Sequence, residues 1–464
     1  MMHNKKHIVH FSVFVVYLLA TMLCFISSKK ELISDIEKRP LAKLPSISVS
    51  SIFDGSLAKN YEAYVDDHFP MREELINLVY EIDSYKGIHD HKNAKIIIPF
   101  KKRDVKKKNR TKKQIKNDEA ANVLDEKYLV NAESTMSKGL LVIGGSCYQI
   151  FGGEKRSAAF YAKMLDKYRE ILPSKVRLFN CVVPTGSSFT HTIDYDYLRK
   201  NEYTNIKQIY NLTTSSIINI NASEEILKHH NEYIYFNTDH HWTGLGAYYA
   251  YVAFCAKAEI LPIQLKQMKR KVKHHFLGSL YALTRDPIVK NNPDSVVYYV
   301  PPVKTELIEY AGINQGSKIK GELLSRYAAG VNSYGVFLGG DHAMVQIKTS
   351  LKNGKRILVV KNSFGNPFAT YLVNNYEEVI VIDYRYFRRG LLSVVNEFKI
   401  NDVLFLHNVF SANTDSHTKR QALISAPIQS EKTSEKTSVK IKSDPAKQDS
   451  LFQINPIVSP IDSL

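Results

Sequence analysis

Four short stretches, 176–183, 357–360, 379–382 and 403–406, are apolar at nearly every consecutive position. A strand with one wet face alternates apolar and polar residues, whereas an unbroken apolar run must be covered on both faces. Around these runs the apolar residues change to helical spacing. Phe160, Met164, Leu165, Tyr168 and Ile171 share one stripe before Pro173, and a second helical pattern spans 244–258. Covered strands separated by helices define an α/β chain, expected here as a three-layer α/β/α sandwich with a parallel sheet. Ligands of such sheets bind beyond the carboxyl ends of the strands. Further strands are expected at 96–98, 140–143 and 233–236, and an irregular polar region from about 259 to 333.

The N-terminus imposes a second constraint. Residues 8–27 hold no Asp, Glu, Lys or Arg and lie between Lys5-Lys6 and Lys29-Lys30, and about 20 apolar residues suffice to cross a bilayer as a transmembrane helix. No small-residue cleavage site stands between Phe25 and Ser34. An uncleaved anchor is therefore expected rather than a removed signal, with the bulk of the chain on the extracytoplasmic side, periplasmic or cell-surface.

Charge and cysteine content narrow the function classes. Of the net +17, residues 101–118 supply +8, ten Lys or Arg standing against Asp104 and Asp118. Charge concentrated in this way reads as a solvated insertion rather than a folded nucleic-acid face, so no nucleic-acid partner is expected. Beyond the anchor only Cys147, Cys181 and Cys255 remain, without a C-x-x-C pair. They encode neither a zinc knuckle nor a disulfide framework, and buried small hydrophobes are the expected reading.

Two strand ends carry the residues with chemistry. The run at 233–236 leads into Asn237-Thr-Asp239-His240-His241-Trp242-Thr243, and the run at 357–360 into Lys361-Asn-Ser363-Phe364-Gly365-Asn366-Pro367. A serine nucleophile needs an imidazole to take its proton and a carboxylate to fix that imidazole's tautomer. Asp239 and His241, two apart in an extended segment, project to one side, and His240 to the other. Ser363 falls at a helix N-terminus, where the Phe364 N–H and the Asn366 amide are candidate oxyanion donors. Ser146, Ser187 and Ser188 also follow strands and compete as nucleophiles. Trp242 could stack on a sugar ring or pack into the core. Arg385 could bind a carboxylate or acyl oxygen or form an ion pair, and Asp341 and His342, after Gly339-Gly340, could line the same cleft. His229, His230, His240 and His241 cluster in sequence, but adjacent histidines point to opposite faces, so no metal is expected, and no cofactor.

Asp239-His-His-Trp242 resembles the signature of the DHHW family, and Lys361-Asn-Ser-Phe-Gly-Asn366 its serine block. The resemblance extends to Glu37-Lys-Arg-Pro-Leu-Ala42, Asp67-His-Phe-Pro-Met-Arg72, Gly339-Gly-Asp-His342 and Asp383-Tyr-Arg-Tyr-Phe387, and covers about 35–410. Members are similar to the SGNH-hydrolase-like proteins of alginate O-acetylation, in which a D-x-H pair precedes the serine. Ordinary SGNH esterases have the opposite order, so the resemblance implies a circularly permuted version of their fold. Asn362 stands where the pattern more often has Asp, and the basic insertion and long tail have no counterpart in it.

The expected organisation is an anchor at 1–30, a tether with amphipathic helices at 31–90, a basic insertion at 91–120, the SGNH-hydrolase-like domain at 121–410 and a disordered tail at 411–464. By analogy with the acetylation proteins, the expected activity is O-acyl transfer or ester hydrolysis on a cell-surface or exported polysaccharide. Ser363, His241 and Asp239 would form the triad, and a membrane-bound O-acyltransferase would be the acyl-donor partner. The alternative is a non-catalytic carbohydrate-binding or assembly protein on the same scaffold.

Overall fold

The computed structural model describes residues 2–28, 39–72, 137–189, 199–312 and 315–426, with a few short stretches between 30 and 97. The basic insertion, apart from a strand at Ala94–Ile97, and the tail beyond 426 lie outside the described residues. Met2–Ser27 is helical, and among the described residues it alone holds a segment long and apolar enough to cross a membrane, His10–Ser27 with mean hydropathy 2.0.

An eight-stranded sheet organises the rest. Its strands are β1 (Arg177–Val183), β2 (Ile217–Asn219), β3 (Thr305–Ala311), β4 (Ser317–Gly321), β5 (Met344–Thr349), β6 (Arg356–Lys361), β7 (Glu378–Asp383) and β8 (Asp402–Asn408). They lie in the order β4-β3-β5-β7-β6-β8-β1-β2. The four apolar runs of the sequence are β1, β6, β7 and β8, which pair in parallel with β2 added at one edge. The other half departs from the all-parallel expectation, since β5 pairs antiparallel with β7, and β3 with both β5 and β4. Part of the region expected to be irregular is thus sheet. Edge strands such as Ser-Lys-Ile-Lys-Gly in β4 are too polar to show an apolar run.

Both faces of the parallel half are covered, as unbroken apolar strands require. Ile357 and Val359 of β6 pack with Phe179, Val381, Leu404 and Leu406 under α2 (Gly244–Ala258) and α3 (Gly365–Leu372). Leu358 and Val360 point the other way, into a core with Val182, Ile380, Ile382 and Phe405 beneath α1 (Lys155–Ile171) and α4 (Leu391–Glu397). The result is a three-layer α/β/α sandwich. All four residues from Ile357 to Val360 are fully buried, and truncating Ile357 or Leu358 to Ala costs about 2–5 kcal/mol.

Other expectations are corrected in detail. Residues 233–236 form no strand, because Tyr235 makes only an isolated bridge to Trp242. The strand Ser137–Ile143 belongs to a separate antiparallel sheet with Ala94–Ile97 and Ser146–Phe151. The fold does not stop at 410, since Asp415–Leu423 is helical with His417, Arg420 and Gln421 buried. Cys147, Cys181 and Cys255 are buried free thiols.

β7 lies on one side of β6 and β8 on the other, so the chain reverses its direction of winding at the carboxyl end of β6. A crevice opens at such a switch point. Ser363 is the second residue beyond β6.

Candidate active site

The serine turn is held tight by its own backbone. Gly365 N–H bonds the Asn362 carbonyl at 2.9 Å, and Asn366 N–H bonds the Ser363 carbonyl at 3.1 Å. A Cβ on Gly365 would lie 2.4 Å from the Cβ of Lys361, so only glycine lets the chain fold back on the strand end. The turn presents Ser363 Oγ 2.6 Å from His241 Nε2, across 122 residues of chain.

The histidine arrives on a bend rather than an extended segment. Asp239 Oδ1 accepts the backbone N–H of His241 at 3.0 Å and lies 2.6 Å from its Nδ1, so one oxygen folds the turn and orients the ring. Asp239 Oδ2 accepts the N–H of Ser279 at 2.8 Å and its hydroxyl at 3.0 Å. Burial alone would raise the Asp239 carboxyl. His241 and His240, with these hydrogen bonds, outweigh it and hold the carboxyl well below the usual carboxylate range.

The bend changes the place of His240. Instead of facing away, its ring lies 3.8 Å from that of His241, and its Nδ1 is 2.7 Å from Ser279 Oγ. Asp239, His240 and His241 could each offer a ligand atom within 4.8 Å of the others. The four hydrogen bonds to Asp239 occupy its lone-pair directions, which disfavours a metal there. His229 and His230 are engaged elsewhere, with Glu232 and the Leu227 carbonyl.

Several supporting residues carry no sequence signal, because they meet the site only through the fold. Asp294 accepts the N–H groups of Asn237 and Thr238, both at 2.8 Å, the Thr238 hydroxyl at 2.6 Å, and the Tyr233 hydroxyl. Gly278 backs directly onto Asp239, whose Cβ would be 2.2 Å from an added methyl. Tyr334 stacks on His241 with ring centroids 4.1 Å apart and donates its hydroxyl to the Ser363 carbonyl at 3.0 Å.

The remaining candidates divide. Trp242 is fully buried, its indole N–H donating to the Phe364 carbonyl at 3.0 Å, and is core rather than a sugar platform. Arg385 and Asp341 join Lys361 and Asp383 in a buried network with contacts of 2.6–2.9 Å. Burial opposes ionisation of Asp341 and Asp383, but Lys361 and Arg385 hold both carboxyls low. Arg385 is therefore paired inside the protein instead of reaching for substrate. Asn366 Nδ2 donates to Asp341 at 2.8 Å, and Phe364 N–H lies 3.3 Å from Asn362 Oδ1, so both expected oxyanion donors are engaged. His342 contacts Glu309 and the Leu338 carbonyl, away from the serine turn. Ser146 bonds Asn237 and Ser187 bonds Glu202, so neither takes a histidine as partner in these contacts.

Comparison with known proteins agrees with this architecture. The family model described as DHHW protein matches residues 110–382. The chain is similar to a solved DHHW family protein from Eubacterium siraeum, at 30% identity over 63% of this chain and 96% of that one, with a TM-score of 0.56. It is also similar to Bacillus cereus PatB1, solved with a sulfonyl adduct, at 17% identity over 60% and 97%, with a TM-score of 0.51, a likeness of fold alone. The O-acetyltransferase domain of Pseudomonas putida AlgJ matches more loosely, at 12% identity over 56% and 82% and a TM-score of 0.30, too low for comparing sites. No curated protein matches.

Proposed function

The chain belongs to the DHHW family, and we propose that it is an O-acyltransferase or esterase on an SGNH-hydrolase-like sandwich, using Ser363, His241 and Asp239. The observation that carries the reading is the unbroken contact from Ser363 Oγ through His241 to Asp239, 2.6 Å at each step. Ser363 Oγ attacks the carbonyl carbon of an acyl ester while its proton passes to His241 Nε2. The carbonyl oxygen becomes an oxyanion. As the intermediate collapses, the leaving alcohol takes that proton and the acyl group stays on Ser363. An acceptor hydroxyl, or water, then gives its proton to His241 and carries the acyl group away, and Ser363 regains its hydrogen.

Two groups can meet the oxyanion. The Phe364 N–H can exchange its 3.3 Å contact with Asn362 for a charged acceptor, since charge-assisted hydrogen bonds are about twice as strong as neutral ones. The second Asn366 amide hydrogen can join it while the first stays on Asp341. Asp239, held ionised, keeps the His241 proton on Nδ1 and leaves Nε2 to act as base.

The substrate in this reading is a cell-surface or exported polysaccharide, acylated at a hydroxyl, with a membrane-bound O-acyltransferase as donor. The 10–27 helix would hold the protein at the membrane, facing out of the cytoplasm. Near-complete burial of Ser363, 3% exposed, is the observation that favours a non-catalytic carbohydrate-binding role. The deciding experiment is turnover of 4-nitrophenyl acetate by detergent-solubilised full chain, with and without polysaccharide acceptors. Turnover lost in Ser363→Ala supports the enzyme. Acceptor binding with no turnover supports the binding role.

A further inference from the structure

His241 has a partner at each nitrogen, but a hydrogen bond at the ring edge leaves the faces of the imidazole to other contacts. Tyr334 covers one of them, with its ring tilted only 16° from that of His241 at 4.1 Å. Its hydroxyl donates to the carbonyl of Ser363, the same carbonyl that closes the serine turn through Asn366. One side chain therefore touches the base and the backbone of the nucleophile.

The segment that carries Tyr334 is braced independently of the triad. Tyr334 sits in the 3₁₀ turn Gly330–Val336. Ser325 N–H bonds the Val336 carbonyl at 2.8 Å and Leu338 N–H bonds the Leu323 carbonyl at 3.0 Å, closing the base of that loop. Phe236 and Phe337 pack edge-on against the Tyr334 ring at 6.1 and 5.5 Å. Burial, with the carboxylates of Asp239 and Asp341 nearby, pushes the hydroxyl far above its ordinary value, so it stays a donor.

We propose that Tyr334 is a positioning residue for proton transfer, whose ring face fixes the His241 imidazole and stabilises it as it becomes charged. The inference rests on the acyl-transfer reading. When Ser363 gives up its proton, His241 becomes a cation lying over an aromatic face, where the ring quadrupole attracts it. The hydroxyl bond keeps that face in register with the serine turn. The ring matters more than the hydroxyl, because the Ser363 carbonyl retains its bond from Asn366 when the phenol is removed.

The experiment compares Tyr334→Phe, Tyr334→Leu and Tyr334→Met with wild type in full-length protein, using 4-nitrophenyl acetate and Ser363→Ala as the blank. Tyr334→Phe is expected to stay within about threefold of wild-type kcat, while Leu and Met lose about tenfold with KM nearly unchanged. Met fills the space without branching and serves if Leu lowers the melting temperature. Wild-type kcat in Leu or Met, or a gain in rate that marks Tyr334 as an obstruction, overturns the proposal. So does a loss in Phe as large as in Leu. Wild-type turnover no higher than that of Ser363→Ala sinks the acyl-transfer reading itself, and the role of Tyr334 falls with it.

Discussion

Asp294 Oδ2 holds Thr238 twice, accepting its backbone N–H at 2.8 Å and its hydroxyl at 2.6 Å, one residue before the carboxylate that orients His241. With Asn237 and Tyr233 on its other oxygen, Asp294 is the clamp on the bend that delivers the Asp-x-His pair. Asp294→Ala should leave four donors without their acceptor. Each unsatisfied buried group costs about 1–3 kcal/mol, so stability should fall by more than about 3 kcal/mol. Turnover should fall with it although no triad member is touched, as thermal melting and kcat/KM on the folded fraction can establish. Unchanged values for both would mean the bend holds itself.

His240 should matter more than an outward-facing neighbour would. It reaches Asp239 through Ser279, by contacts of 2.7 and 3.0 Å. His240→Ala and Ser279→Ala are each expected to cost about tenfold in kcat/KM, equivalent to roughly 1.4 kcal/mol, and the double variant little more than either single one. Full additivity in that cycle would show that the two do not act through Asp239 as a chain.

Gly278 tests how closely the carboxylate must sit. An added methyl would lie 2.2 Å from Asp239 Cβ and 2.4 Å from Oδ2, so Gly278→Ala must push the carboxylate off its position. Misplacement on the order of 1 Å can cost a hundredfold in rate. A loss of about that size in kcat, with the protein still folded by circular dichroism, is the expected result. Activity near wild type would mean that the Asp239 segment shifts freely.

The buried network beneath the serine turn, together with Asp239, contributes to the pH dependence of stability. Asp341 and Asp383 have folded values held below the 3.8 of an unperturbed Asp, against the opposition of burial. Groups depressed in this way contribute stability that is present above the unfolded value and lost as pH falls through the folded one. Melting temperature should therefore hold from neutral pH to about 5 and drop progressively below about 4. Asp341→Asn, which leaves Lys361 and Arg385 short of a counter-charge, should cost about 3 kcal/mol at pH 7 and flatten that acid limb. An acid limb of wild-type steepness in the variant would place the pH dependence elsewhere.

What the residues alone disclosed followed their physics. β1, β6, β7 and β8 were legible because burial on both faces leaves a nearly unbroken apolar run, and α2 because its pattern keeps helical spacing up to Ala258. The stripe on α1 was legible only in part. Met164, Leu165 and Tyr168 are buried, but Ala158 and Tyr161 complete the face while Ile171 is exposed. The antiparallel half and the helix Asp415–Leu423 were missed because the first mixes charge into its edge strands and the second buries His417, Arg420 and Gln421 in place of aliphatic residues. At the site, the convergence of Asp239, His241 and Ser363 was legible from residue type, position and the family resemblance. The two-residue periodicity misplaced His240, because an aspartate that bonds the N–H two residues ahead bends the chain. Asp294, Ser279 and Tyr334 reach the site from 29 to 56 residues away in the chain, and no local pattern marks them.

In the proposed mechanism Ser363 is a nucleophile activated by His241. Intact-mass spectrometry of the folded full chain after exposure to a fluorophosphonate measures it most directly. One adduct per chain is expected, mapped by peptide fragmentation to Ser363, absent in Ser363→Ala and slowed at least about a hundredfold in His241→Ala. No adduct on the folded wild-type protein, or an adduct that persists in Ser363→Ala, would contradict it.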